Sequence, residues 1–373
     1  MKRAGLSTFG GREASRAFVL TVRHSDPKQS PRRRRGRLAR LLAATVCAGL
    51  AATAAGCGGG GAQGASLILY NGQHSQLTTE LVSAFEKQTG ISVRVRLGDS
   101  IVLADQILQE GSNSPADIFL SENSPELMTL QQRGLLAAEP AATLSQVPSS
   151  EDSPNGDWVG VALRVGALVF DPALVSRAQL PHSILDLAQP RWKGKISVAP
   201  TDADFPPLAG SVLYRYGSAK TLAWLQGLRR NAVTYVDEES VAAAVNRGNV
   251  AVGLINQYYW YRLRYEFGKK ATHSALYYFP SADAGSVTNI SGAGVLKSSK
   301  HKTDAERFVA FLVSRRGQEI IARSDDFEYP VRRAVTPNSA LPPIASISHA
   351  VLTPSELGND QQVATLIQKA GLY

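Results

Sequence analysis

Two tyrosines stand side by side in the run Asn256-Gln257-Tyr258-Tyr259-Trp260-Tyr261, directly after the apolar segment Val250 to Ile255. A phenol is a poor ligand until it loses its proton, at an unperturbed pKa of about 10. A strongly polarising cation can remove that proton, as bound metals do for water and thiols. Adjacent phenolates therefore suggest a hard, highly charged metal such as ferric iron. The competing reading makes these rings the packed face of a helix. Tyr277-Tyr278, in the strand-like run Ala275 to Phe279, reads as core on the same grounds.

The elements that must position such a site alternate between strand and helix from Ser66 onward. Ser66 to Tyr70 is a short apolar run that ends at Asn71-Gly72. Leu77, Leu81, Val82 and Phe85 recur at helical spacing, and Gly90 fits the stop. Ile91, Val93, Val95 and Leu97 alternate as a half-buried strand. Asp99 or Ser100 caps the next helix, which Gly111 ends. Asp117 to Ser121 is a further strand, with Pro125 in the first turn of the helix after it. The rhythm continues through Val198, a helix around Trp224, the strand Val250 to Ile255 and a helix from Thr303 to Val313. This pattern argues an α/β protein with mostly parallel sheets. In such sheets ligands sit beyond the carboxyl ends of strands. His74, Glu122 and Tyr258-Tyr259 all fall there. Taken singly, His74 also reads as a loop histidine and Glu122 as an acid favoured by a helix N-terminus.

Charge excludes a nucleic-acid reading. The formal net charge is +9, but residues 1–56 hold twelve of the 40 Lys/Arg and only two of the 31 Asp/Glu. The remaining chain carries 28 basic and 29 acidic residues, with no general polyanion field. The leader reads as an export signal: Arg32 to Arg40 is the charged part and Leu41 to Ala55 the apolar part. That apolar run is shorter than the roughly 20 residues a spanning helix needs. Ala54-Ala55-Gly56-Cys57 resembles a lipobox, in which the cysteine is lipidated and becomes the mature N-terminus. An ordinary cleaved signal with an incidental cysteine is the alternative. Once Cys47 leaves with the leader, Cys57 is the only thiol, so no internal disulfide and no thiolate metal cluster can form. The glycine-rich stretch at 57–65 is a flexible tether.

The motifs Tyr-Asn-Gly-Gln-His (70–74), Pro-Ala-Asp-Ile-Phe-Leu-Ser-Glu (115–122), Arg-Trp-Lys-Gly-Lys-Ile (191–196), Asn-Gln-Tyr-Tyr-Trp-Tyr (256–261), Ser-Gly-Ala-Gly-Val-Leu-Lys (291–297) and Glu-Tyr-Pro-Val (328–331) occur in that order. Together they resemble the ferric-ion-binding periplasmic proteins of bacterial ABC iron importers, from about Ser66 to Tyr373. The resemblance implies a class II periplasmic-binding-protein fold, two α/β lobes with a ligand cleft between them. With the leader read as a signal peptide over 1–56, the lobes it implies are a first from 66–164 plus 285–338 and a second from 165–284 plus 339–373. It also implies Fe³⁺ as cargo, held by His74, Glu122, Tyr258 and Tyr259, with carbonate or water as additional ligands. The implied protein is a monomeric, lipid-anchored, extracytoplasmic binding protein that delivers iron to an ABC permease and is not an enzyme.

The sequence departs from the family pattern at the anion site. Phosphate-using relatives have a Thr-Ser-Gly-Ala-like loop where this chain has Thr201-Asp202-Ala203-Asp204. A second anion contact falls on Glu239 and a third on Asn256. Arg164 matches one of two family arginines, and Gly166 stands where the other would be. Acids at these positions would repel phosphate, unless Asp202 and Asp204 merely cap the next helix. The runner-up cargo is a polyamine, thiamine or organophosphate, since one fold serves many ligands. An extracytoplasmic hydrolase finds no Gly-x-Ser-x-Gly or His-Glu-x-x-His motif to support it.

Overall fold

Short β-strands each run into a helix over the first third of the computed structural model, which describes residues 66–280, 283–347 and 352–373. The expected leader, the expected lipidation site Cys57 and the expected tether lie outside the described residues. The chain opens with β1 (Leu67–Asn71), α1 (Ser75–Thr89), β2 (Val93–Leu97), α2 (Ser100–Glu110), β3 (Ile118–Ser121), α3 (Ser124–Gln132) and the single turn α4 (Ala141–Leu144). A long strand, β4 (Val159–Phe170), follows. Then come β5 (Ile196–Val198), α5 (Phe205–Asn231), β6 (Ala232–Thr234), α6 (Glu238–Asn246), β7 (Val252–Asn256), α7 (Gln257–Phe267) and β8 (Ala275–Tyr277). The chain closes with β9 (Thr288–Val295), α8 (Lys302–Val313), α9 (Arg315–Arg323), β10 (Tyr329–Pro330), α10 (Pro354–Leu357) and α11 (Gln361–Ala370).

Local chemistry accounts for the helix boundaries. Gly90 ends α1 at φ +73°, and its N–H reaches back to the Glu86 carbonyl. The Asp99 carboxylate caps α2 by accepting the Ile101 and Val102 N–H groups. Pro125 sits in the first turn of α3, where its missing N–H costs nothing. The apolar stripe of α1 is buried as its spacing requires: Leu77, Leu81, Val82 and Phe85 all face the core. The long α5 is broken at Gly217, whose φ is +77°.

Two runs of strands share β4. One side is ordered β2-β1-β3-β9-β4, with β10 also on β4; the other runs β4-β7-β5-β6, with β8 on β4. Val159 to Val165 pair with β9, whereas Gly166 to Phe170 pair with β7. The partner therefore changes between Val165 and Gly166. At that point a Cβ on Gly166 would lie 2.7 Å from the Gly285 carbonyl oxygen, so even a methyl group does not fit. Separate apolar cores form, one around α1, α8 and β9, another around α5, β5 and Phe170.

Three sequence expectations need correction. The sheets are mixed and not mostly parallel: β1 pairs parallel with β2 and β3, and β5 with β6 and β7, but every pairing of β4 and β9 is antiparallel. Helical spacing reveals βα units, and says nothing about long strands that cross back between them. Strand β2 is an edge strand, so Val95 and Leu97 are exposed despite their alternation. Tyr277 and Tyr278 are half-buried and sit at the margins of the cores, packed against them and not enclosed within them. Among the described residues no helix is long and apolar enough to cross a membrane.

Candidate metal centre

His74, Glu122, Tyr258 and Asp204 meet although they come from four segments distant in sequence. His74 is the residue before α1, just past the carboxyl end of β1. Its loop is drawn in by Gly72, where a Cβ would be 2.1 Å from Ser100 Oγ. Ser100 Oγ in turn accepts the Glu122 N–H at 2.9 Å, so the β1 and β3 loops are fixed against each other. The Gln73 amide oxygen accepts the His74 N–H at 2.7 Å, and its amide nitrogen donates to Glu328. Tyr258 and Tyr259 occupy the first turn of α7. Gln257 anchors that turn, accepting the Val165 N–H at 2.6 Å and donating to the Phe327 carbonyl at 3.1 Å. Successive helical side chains normally diverge, yet the two phenol rings lie 4.1 Å apart between centroids.

The donor atoms converge closely. His74 Nε2 lies 3.3 Å from Glu122 Oε1. The Tyr258 hydroxyl is 3.0 Å from the same carboxylate oxygen and 3.1 Å from Asp204 Oδ2. A phenol has one proton and can donate to only one of these acids at a time. His74 Nε2 is buried and makes no hydrogen bond, while Nδ1 faces the Arg262 guanidinium at 3.3 Å. The His74 ring packs edge-on to both tyrosines. Among the described residues no group of three or more His, Cys, Asp or Glu side chains is arranged to hold a metal. A metal held here would depend on phenol oxygen.

Electrostatics sets the character of the site. Glu122, Asp204, Glu238 and Glu328 are all buried, and Asp202 is half-buried beside them. Among the described residues the only fully buried base is Arg164, on β4. Its guanidinium is 3.1 Å from both Asp204 Oδ1 and Glu328 Oε1, 3.8 Å from Glu122 Oε1, and donates to Asn123 Oδ1 and the Glu122 carbonyl. Burial alone would lower the Arg164 pKa, but Asp204, Glu122 and Glu328 hold it charged. One fully buried cation, with the partly exposed Arg262 beside His74, leaves the cluster of acids short of positive charge. Burial, then Asp204, pushes Glu122 well above the ordinary carboxylate range. Burial, then Asp204 and Glu122, pushes Tyr258 well up; burial, then Asp202, does the same to Tyr259. Burial and the nearby Arg262 and Arg164 push His74 well down, keeping it neutral.

The acids predicted for the anion region divide. Asp204 precedes α5 but makes no side-chain cap there; its carboxylate goes to Arg164 and Tyr258. Asp202 accepts the Asp204 N–H two residues on and the Glu238 N–H at the start of α6. Glu239 is exposed, and its neighbour Glu238 takes the inward position, where Oε2 accepts the Asn256 N–H at 2.5 Å. Asn256 Oδ1 accepts from Asn289, so this residue is committed within the protein. Arg164 is likewise committed to carboxylates. Sequence reasoning missed Glu238, Glu328 and Arg262 as members of the cluster. The paired Glu238-Glu239 was a signal for the first, and the Glu-Tyr-Pro-Val motif contains the second.

The bacterial extracellular solute-binding protein family matches residues 67–324. The chain belongs to that family. It is 40% identical over 316 residues to a protein named Fe(3+)-binding periplasmic protein from Serratia marcescens, covering 84% of this chain and 93% of the relative. It is 34% identical over 310 residues to the major ferric iron-binding protein of Neisseria meningitidis serogroup B, covering 83% and 93%. The crystal structure of iron-bound HitA from Pseudomonas aeruginosa superposes with a TM-score of 0.79 at 38% identity, covering 82% of this chain and 99% of that one. The chain is thus a two-lobed binding protein by family and fold, and its relatives are transport proteins and not enzymes.

Two outcomes follow from the charge balance. Replacing Arg164 by Met leaves Asp204 and Glu328 buried without their counter-ion, and should destabilise the unliganded protein by about 3–5 kcal/mol in urea unfolding. The pH dependence comes from acids whose folded pKa values lie above their unfolded ones. Burial raises Glu139 to about 8, and Glu151 and Glu328 to about 7, with Arg164 partly opposing the last. The stability they support is full below their unfolded pKa near 4.3 and is lost as pH rises through 7–8. The Tm of the unliganded protein should therefore fall between pH 5 and pH 8.

Proposed function

We propose that this protein captures ferric iron outside the cytoplasmic membrane through His74, Glu122, Tyr258 and Tyr259, and hands it to an ABC permease. The observation that carries this reading is a buried excess of hard anionic oxygen around one neutral imidazole. Small hard octahedral cations hold oxygens at about 2.0–2.1 Å, which puts neighbouring donors roughly 2.9 Å apart. The 3.0, 3.1 and 3.3 Å separations among Tyr258, Glu122, Asp204 and His74 suit the edges of such an octahedron. Two phenolates and the Glu122 carboxylate supply the three negative charges that Fe³⁺ needs. The names and structures of the relatives support the same cargo.

Asp204 is the further ligand in this reading, filling a position that water or a carbonate would otherwise take. Asp202, Glu238 and Glu328 add negative potential that disfavours phosphate, and both terminal nitrogens of Arg164 are already taken by Glu328, Asp204, Asn123 and the Glu122 carbonyl. A polyamine would also be drawn to these acids. However, donors closed to within 3.3 Å leave room for an ion and not for an alkyl chain. The lobes are 66–164 plus 285–338 and 165–284 plus 339–373, hinged where β4 changes partner. The protein works as a monomer, held at the membrane through lipid on Cys57.

Changing Tyr258 or Tyr259 to Phe removes one oxygen and little volume. Each variant should lose or shift the visible phenolate-to-iron band and bind Fe³⁺ orders of magnitude more weakly, with an unchanged far-UV circular dichroism spectrum. The wild-type protein should titrate with Fe³⁺ in anion-free buffer, with no requirement for phosphate. Its affinity should fall as pH falls, because the two phenols must release protons to bind. Unchanged spectra in both variants would return the tyrosines to a packing role. Mass spectrometry of membrane-extracted protein should find an N-terminus at Cys57 bearing diacylglycerol; a secreted form with a free Cys57 thiol would remove the anchor.

A further inference from the structure

A second pair of acids with buried carboxylate oxygens lies apart from the cluster around Arg164. Glu126, in the first turn of α3, is only 5% exposed. Its Oε2 accepts from Ser121 Oγ at 3.3 Å, but the buried Oε1 has no hydrogen-bond partner. Asp360, immediately before α11, has both carboxylate oxygens buried and neither is hydrogen-bonded. Both side chains line one cavity of about 390 Å³. Neither acid takes part in an ion pair among the described residues. Arg133, which also lines this cavity, is exposed.

Burying carboxylates without a partner is costly, so such groups either hold a proton or hold a cation. Three unpartnered carboxylate oxygens line this cavity. Thr129, Gln132 and Asn359 add hydroxyl and amide oxygens to the lining, and the exposed Asp105 adds negative charge. No histidine, cysteine or methionine lines the cavity. An all-oxygen set with two acids and several neutral donors suits a hard, flexibly coordinated divalent ion over zinc or copper. We propose that Glu126 and Asp360 bind one calcium-class divalent cation in the cavity between α3 and α11. Helix α3 packs on β3 and β9, while α11 packs on α5. The bound cation would therefore fasten the C-terminal helix to a layer built from distant parts of the chain. The Asn359 side chain already donates to Gln132 Oε1 across the same seam.

Burial and the facing Asp360 push Glu126 well above the ordinary carboxylate range, and burial pushes Asp360 to about 7. Without a cation these two groups would keep protons that water would strip from them, as expected of a vacant acidic site. The proposal does not depend on iron being the cargo.

The test is calorimetric titration of the iron-free, full-length protein with CaCl₂ at pH 7.5. The comparison is with the double variant Glu126→Gln/Asp360→Asn and, separately, with Tyr258→Phe/Tyr259→Phe. We expect one Ca²⁺ per chain in the submillimolar-to-millimolar range of extracellular calcium modules, with a rise in Tm. The Glu126/Asp360 variant should weaken Ca²⁺ binding at least about tenfold and abolish the Tm rise. It should keep its far-UV circular dichroism spectrum, because the replacements are isosteric and uncharged. The tyrosine variant should bind Ca²⁺ as the wild type does. No saturable binding up to about 10 mM would overturn the proposal and leave a proton-sharing pair. Binding that survives in the Glu126/Asp360 variant, or is lost only in the tyrosine variant, would overturn it equally.

Discussion

One buried guanidinium holds the centre of this molecule together. Arg164 is fully enclosed on β4 and reaches Asp204 before α5, Glu122 and Asn123 between β3 and α3, and Glu328 before β10. Three segments distant in sequence are thus held by one side chain. Removing a cation of that size from water is expensive, and only close carboxylates with good geometry offset the cost. The planar, always-charged fork of arginine suits such a position better than a lysine would. The strand that carries Arg164 is also the one that runs through both sets of strands. The site and the connection between the sheets therefore share a single element.

Arg164 neutralises only part of the charge it organises. Glu122, Asp204, Glu238 and Glu328 are buried together, and the phenols of Tyr258 and Tyr259 lie within reach of the same field. In an empty site the field keeps the phenols protonated, because a phenolate would add to an existing excess of negative charge. A trivalent cation reverses that balance at once. The same surplus that raises the phenol pKa values gives the site its preference for a highly charged ion. Neutral His74 adds a donor without adding charge.

The acids on the far side of α3 follow the same physics with a different outcome. Around Arg164 a base is present and the geometry is tight. Around Glu126 and Asp360 no base is buried with the acids: Arg133 lines the cavity but is exposed and pairs with neither. Both cases rest on the cost of isolating carboxylates from water, and they differ in what each site provides against it.

Much of the candidate site was legible in the residues themselves. His74, Glu122 and the tyrosine pair were picked out because strands precede them, and the βα rhythm located those strands to within two residues. The caps at Gly90 and Asp99 were legible for the same reason: their chemistry is local. What the sequence could not decide was anything that depends on a distant partner. Glu239 and Glu238 are equally acidic, and only the docking of α6 against β7 turns Glu238 inward. Arg164 reads as an anion anchor until Asp204 and Glu328, distant in sequence, arrive to occupy its donors. Val95 and Leu97 alternate like a half-buried strand, but their exposure depends on β2 lying at a sheet edge. Backbone preference, capping and donor chemistry act over a few residues and are written in the chain. Burial and charge neutralisation are sums over neighbours that only the tertiary fold assembles.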